Sequence, residues 1–361
     1  MSDTTEWVVD MTLESYRIKE GVRVICNEAF AGCYNLHQII LPSSLNFIGE
    51  NAFKGCVKLN EIILPDSLVY ISDGAFDCED RLSACKRYYP LKVCIPPSVI
   101  MIEGNPFCNN AIIECHNVRF KVVDNVLYSS DGTVLISFCS STDDFYIPDG
   151  VIRIGVAAFR GAHLGKIHFP STMEIIDKRA FEDAHIDEDI VLPSSLKEIR
   201  EDAFNWCKIK SGSIVFSSKV EHISPDIFGY GLDGFDIITV PKGCLDYYKS
   251  ILYEWDDIIY DEEIVFDNYL HLSRNRSEVL VANKGTKNFV IPEGVVSIRD
   301  NAFKGIYSID SICLPLTLKR INRNAFDKEI LELKKIIVPK GMTEYYSTIL
   351  REFKDVIEEC N

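Results

Sequence analysis

The 361-residue chain has no run of 18 apolar residues, which excludes a membrane-spanning helix. Basic residues are in short supply: 38 Lys and Arg stand against 54 Asp and Glu, a formal net charge of -16. Nucleic acid and anionic membrane surfaces are bound through an excess of Lys and Arg, so neither is expected as a partner. A basic protein would be attracted by the same charge. Residues 1–10, MSDTTEWVVD, lack a basic n-region and an apolar h-region, so no secretory signal is read. The 13 cysteines include no C-x-x-C pair, and without a signal they read as reduced thiols of a cytoplasmic protein. There is no G-x-S-x-G, P-loop or G-x-G-x-x-G. The seven histidines form no H-E-x-x-H, and the carboxylates do not recur as a paired site. No enzyme activity, catalytic residue or cofactor is expected.

What is present is a repeat. Residues 39–56 read IILPSSLNFIGENAFKGC, 62–76 IILPDSLVYISDGAF, and 190–204 IVLPSSLKEIREDAF. Further copies are YIPDGVIRIGVAAF (146–159), IHFPSTMEIIDKRAF (167–181), VIPEGVVSIRDNAF (290–303) and ICLPLTLKRINRNAF (312–326). Phe30, Phe53 and Phe76 are 23 apart, and Phe159, Phe181 and Phe204 keep almost the same step. With Phe107, Phe228, Phe303 and Phe326, half of the 20 phenylalanines sit in one register. A period of 23 falls among leucine-rich repeats. Ile-x-Leu is a short strand with alternate residues inward, and the following Pro, lacking an N–H, ends it. Ala-Phe is a tight turn with Phe filling the coil. Stacked coils place like side chains in columns, and each coil buries its apolar face only against its neighbours. The expected fold is an α/β solenoid: a right-handed stack of roughly eleven coils with short strands and turns and a parallel sheet along one face.

The stretch LPSSLNFIGENAFKGCVKLNEIIL (41–64) resembles the consensus of the BspA-like leucine-rich repeat family, and the resemblance extends over most of the chain. It implies surface or secreted adhesion and recognition proteins that bind protein or glycan.

The period breaks in three ways. Between Phe76 and Phe107 a charged insert, DCEDRLSACKRYYP (77–90), carries Tyr88 and Tyr89 and reads as a loop. Residues 117–138 hold two apolar runs around Asp131-Gly132, a hairpin signal, and 264–281 is a second copy with Asn275 near its turn. After V-P-K-G, residues 244–256 and the matching C-terminal segment have helical spacing: Leu245, Tyr248, Leu252, Trp255 and Met342, Tyr346, Leu350, Phe353. These read as capping helices. The duplication suggests two repeat modules, 1–262 and 263–361.

Counting back from the strand-ending Pro gives the outward strand positions. Two residues before it lie Ile40, Ile63, Cys94, Tyr146, His168 and Val191. Four before it lie Gln38, Glu61, Lys92, Asp144, Lys166 and Asp189. An apolar row beside a charged row, both facing solvent, marks a protein-binding surface. The candidate binding residues are therefore Ile40, Glu61, Ile63, Lys92, Tyr146, His168, Asp189 and Val191, with Tyr88 and Tyr89 in the insert. Strand propensity of Val and Ile, or packing against a second copy, would also produce the apolar row. Cys33, Cys56 and Cys207 share the register three past the ladder Phe and read as core. Cys78, Cys85, Cys94, Cys108 and Cys115 lie closer together, with His116 beside them, at spacings that match no metal-ligand pattern.

Overall fold

The structure, a computed structural model, describes residues 5–6, 12–78, 90–107, 109, 111–140, 142–210, 212–229, 237–261, 264–267, 269–283, 286–322, 324–326 and 332–360. Tyr88 and Tyr89 lie outside the described residues. The chain divides into two compact units whose segments interleave along the sequence. The first comprises Met1–Asp187, Val191–Lys208 and Val220–Asp233, the second Glu188–Ile190, Ile209–Lys219 and Gly234–Asn361. Each is a parallel-sheet solenoid of the leucine-rich type with little helix.

In the first unit the Ile-x-Leu segments form one face. Ser15–Arg17 pairs in parallel with Gln38–Ile40, and Asp144–Tyr146 with Lys166–His168. Glu61–Ile62, Lys92–Ile95 and Ile112–Cys115 make a three-stranded parallel sheet. The later Ile of S-L-x-x-I forms a second face, where Val24–Ile25, Phe47–Ile48, Tyr70–Ile71 and Met101–Ile102 pair in order. That register puts Ile25, Ile48 and Ile71 in one column, all fully buried.

The Ala-Phe turn supplies the central column. Phe30, Phe53, Phe76 and Phe107 stack with centroids 5.1, 5.5 and 5.9 Å apart and planes within 10°. Phe159, Phe181 and Phe204 continue the pattern at 5.0 and 5.2 Å. The backbone is tied along the same line: the Phe53 amide donates to Ala75 O, Phe159 to Ala180 O and Phe181 to Ala203 O. The residue before Ala is left-handed in turn after turn, with φ of 54° at Asn51, 56° at Arg179, 55° at Asp202 and 59° at Asn301. Asn, Asp and Gly visit that region at least cost, which explains E-N-A-F, E-D-A-F and D-G-A-F. Cys33, Cys56 and Cys207 are buried beside the column as small hydrophobes.

Each hairpin run contains three strands where the sequence suggested two. Phe120–Val123 turns onto Val126–Ser129 through Asp124 and Asn125, both left-handed (φ 50° and 61°), as a type I′ turn requires. Val126–Ser129 then pairs antiparallel with Val134–Phe138 across the expected Asp131-Gly132 turn. There Asp131 accepts hydrogen bonds from Ser129 and Thr133, which hold its pKa down at about 2. The last strand, Val134–Phe138, runs parallel to Arg153–Ile154, and the Phe138 amide bonds Ala158 O. The end of the hairpin thus serves as a coil, with Phe138 in the ladder 5.0 Å from Phe159. In the second unit Ile264–Asp267, Leu270–Ser273 and Glu278–Ala282 repeat the design. Asn275 takes the part of Asp131, and Ala282 bonds Ala302 O. The described residues make about 13 turns, against the roughly eleven counted from the sequence.

Helix is short. Leu245–Ile251 and Thr343–Ile349 are α-helical, and each breaks at a leucine into a 3-10 segment, Tyr253–Ile258 and Arg351–Val356. Tyr248 and Tyr346 are fully buried, and their hydroxyls donate to Ser218 O and Pro315 O. A parallel strand follows each helix: Ile259–Tyr260 pairs with Ile237–Thr239, and Ile357–Glu359 with Ile336–Val338. Each helix is therefore the return leg of a coil. Among the described residues no helix is long and apolar enough to cross a membrane.

Stacking also brings like polar residues together. His163 and His185 lie on paired strands with their rings stacked at 4.6 Å. Burial, then His163 and Lys208, hold His185 below its ordinary pKa of 6.5. The unfolded chain therefore takes up a proton near pH 6.5 that the folded chain refuses, and stability falls as pH drops below that value. Denaturant midpoints measured from pH 8 to pH 5 should show this loss, and His185→Gln should remove the His185 share of it.

Candidate functional site

Strand alternation decides which side chains leave the core. On the Ile-x-Leu face, Ile39, Ile62, Val93, Phe145 and Ile167 point inward and are buried. Their neighbours point outward. Ile63 is 78% exposed, Tyr146 65% and Val191 52%, while Ile40 is just exposed. Glu61 and Lys92 are exposed, and His168 and Asp189 are half-buried.

Two groups of these residues come together in the first unit. Glu61 and Lys92 are register partners. With Ile63 they line an open hollow of about 300 Å³, shared with Cys94, Pro96, Pro97, Ile112, Glu114 and His116. Tyr146 and His168 are also register partners, and their rings stack face to face at 3.9 Å. The sequence reading missed Ile112 and Glu114. Their strand, Ile112–Cys115, has no terminating Pro and no S-L-x-x-I, so the repeat pattern passes over it. The signal that remains is the alternation in IIEC, where Ile112 and Glu114 are exposed and Ile113 is buried.

The cysteine-rich segment resolves into separate places. Cys94 and Cys115 are free thiols, and Cys85 and Cys108 lie outside the described residues. Cys94 faces Glu114 across the strand pair, and its Sγ lies 3.5 Å from His116 Nδ1. Burial, with Glu114 and Cys115, raises the Cys94 pKa above its usual range.

A second concentration of charge lies at the turns. Arg160, with 11% of its side chain exposed, places Nη2 2.7 Å from Asp73 and Nε 3.3 Å from Glu182, with Asp77 at 3.8 Å. Arg179 reaches Asp73 at 3.4 Å, and the Asn105 amide donates to the same carboxylate. Every charge here has an opposite partner, so the cluster reads as a cross-link between coils.

Stacked coils with an exposed parallel face define a repeat scaffold. Six copies of the model for the BspA type leucine-rich repeat region match residues 9–128, 135–255 and 278–358, and the chain belongs to that family. Its members are typically protein-interaction proteins or surface antigens. Among solved structures, the pneumococcal vaccine antigen PcpA is similar at 19% identity and TM-score 0.50, over 96% of this chain and 78% of that one. A leucine-rich repeat protein from Eubacterium ventriosum is similar at 15% identity and TM-score 0.51, over 88% of this chain and 83% of that one. At these identities the likeness is one of fold. No curated protein sequence matches the chain.

Proposed function

We propose that the protein is a non-catalytic scaffold for adhesion or recognition that binds another protein through its outward sheet face. The observation that carries this reading is the exposure of Ile63, Tyr146 and Val191 at strand positions where solvent alone would favour polar residues. Glu61 and Lys92 beside Ile63 supply the charged margin of such a surface. Ile63→Lys with Val191→Lys should abolish capture of the partner by the immobilised protein, with circular dichroism unchanged. Self-association is followed separately by sedimentation. Equal capture by both proteins would contradict the proposal.

The net charge of -16 favours one alternative, an intracellular inhibitor of a basic enzyme or toxin. Salt separates the two readings. An electrostatically steered inhibitor loses association rate steeply as ionic strength rises, whereas an apolar contact keeps it.

A further inference from the structure

We propose that Cys94, Glu114 and His116 form a binding site for a zinc-class divalent metal ion on the sheet face. One ligand atom from each of the three lies within 4.8 Å of the other two. Cys94 and Glu114 are register partners on adjacent parallel strands, Lys92–Ile95 and Ile112–Cys115, so their side chains leave the same face side by side. His116 lies two residues past Glu114 on the same side, and its amide donates to Ile95 O, which fixes its start relative to the Cys94 strand.

The separation fits the chemistry. Zinc bonds of about 2.3 Å to thiolate sulfur and about 2.0 Å to imidazole nitrogen, at a tetrahedral angle, put the two donors roughly 3.5 Å apart. Cys94 Sγ and His116 Nδ1 are 3.5 Å apart in the protein. Thiolate, imidazole and carboxylate together select a borderline-soft ion such as zinc over calcium or magnesium, which take oxygen ligands. Three protein ligands leave a fourth position for water or a ligand atom from outside, and the hollow around the site is open. Glu61, Asp66 and Lys92 are the other charged groups lining that hollow. The sequence hides this arrangement because Cys94 and Glu114 are 20 residues apart, and only the parallel register joins them.

The test is titration of the reduced protein with Co2+ and then Zn2+. One equivalent of Co2+ should produce a sulfur-to-cobalt charge-transfer band and strong visible bands of tetrahedral type, both removed by Zn2+. Cys94→Ser should abolish the charge-transfer band that wild type shows, which separates this thiol from the other cysteines. Loss of an outer-shell group costs metal sites about 10- to 100-fold, so His116→Ala, which removes a ligand, should weaken Zn2+ by at least about tenfold. Glu114→Gln should weaken it in the same direction. All three side chains are at least partly exposed, so the variants keep their circular dichroism. No band in wild type, or equal bands in wild type and Cys94→Ser, would overturn the proposal.

Discussion

Replacing Phe181 with alanine is expected to destabilise the protein by about 3–5 kcal/mol, the range for deleting a large aromatic from a packed core. The ring is fully buried. It stacks on Phe159 at 5.0 Å and Phe204 at 5.2 Å and meets the edge of Phe169 at 6.3 Å. Its removal opens a void that neighbouring coils cannot fill, because their own rings are held by the same column. Coils in a solenoid contact only their neighbours, so the damage concentrates at that interface. Denaturant unfolding followed by circular dichroism measures it, and Phe181→Leu should recover part of the loss. A change under about 1 kcal/mol for Phe181→Ala would mean that the column is not what joins the coils.

Replacing Arg160 with methionine should cost a similar amount, about 3–5 kcal/mol, for an electrostatic reason. The guanidinium is nearly enclosed and stands among Asp73, Asp77 and Glu182. Burial alone would lower its pKa, but the three carboxylates outweigh that and raise it, so it remains charged. Methionine matches much of its volume but leaves the carboxylates facing one another with less opposing charge. The variant carries a signature that simple loss of packing lacks. Asp73→Asn added to Arg160→Met removes one of the crowded charges and should recover part of the loss. No rescue in the double variant would contradict this account.

The two variants separate what was legible in the sequence from what was not. The role of Phe181 is written in the 23-residue step, because identical side chains in identical positions of stacked coils must meet. The outward rows are equally readable wherever a Pro ends the strand, because alternation does the rest. The role of Arg160 is not readable: it bonds Asp73 from 87 residues away, and charged residues in turns usually read as solvated. In the first hairpin run the third strand was hidden because its turn is Asp124-Asn125, with no glycine to mark it. The left-handed residue before Ala-Phe was visible only as a tendency toward Asn, Asp and Gly. Glu114 was missed because its strand keeps the alternation of a coil but has lost the motif around it.

The central claim is that successive copies of the repeat occupy successive coils, with like residues in direct contact. A double-mutant cycle tests it most directly. Phe159→Leu and Phe181→Leu are made singly and together, with Phe30→Leu and Phe181→Leu as the comparison pair. Stacked aromatic pairs carry about 0.5–1.5 kcal/mol beyond area burial, so the adjacent pair should couple by that order and the distant pair should add independently. Independent addition in both pairs, or equal coupling in both, would contradict the stacked-coil account.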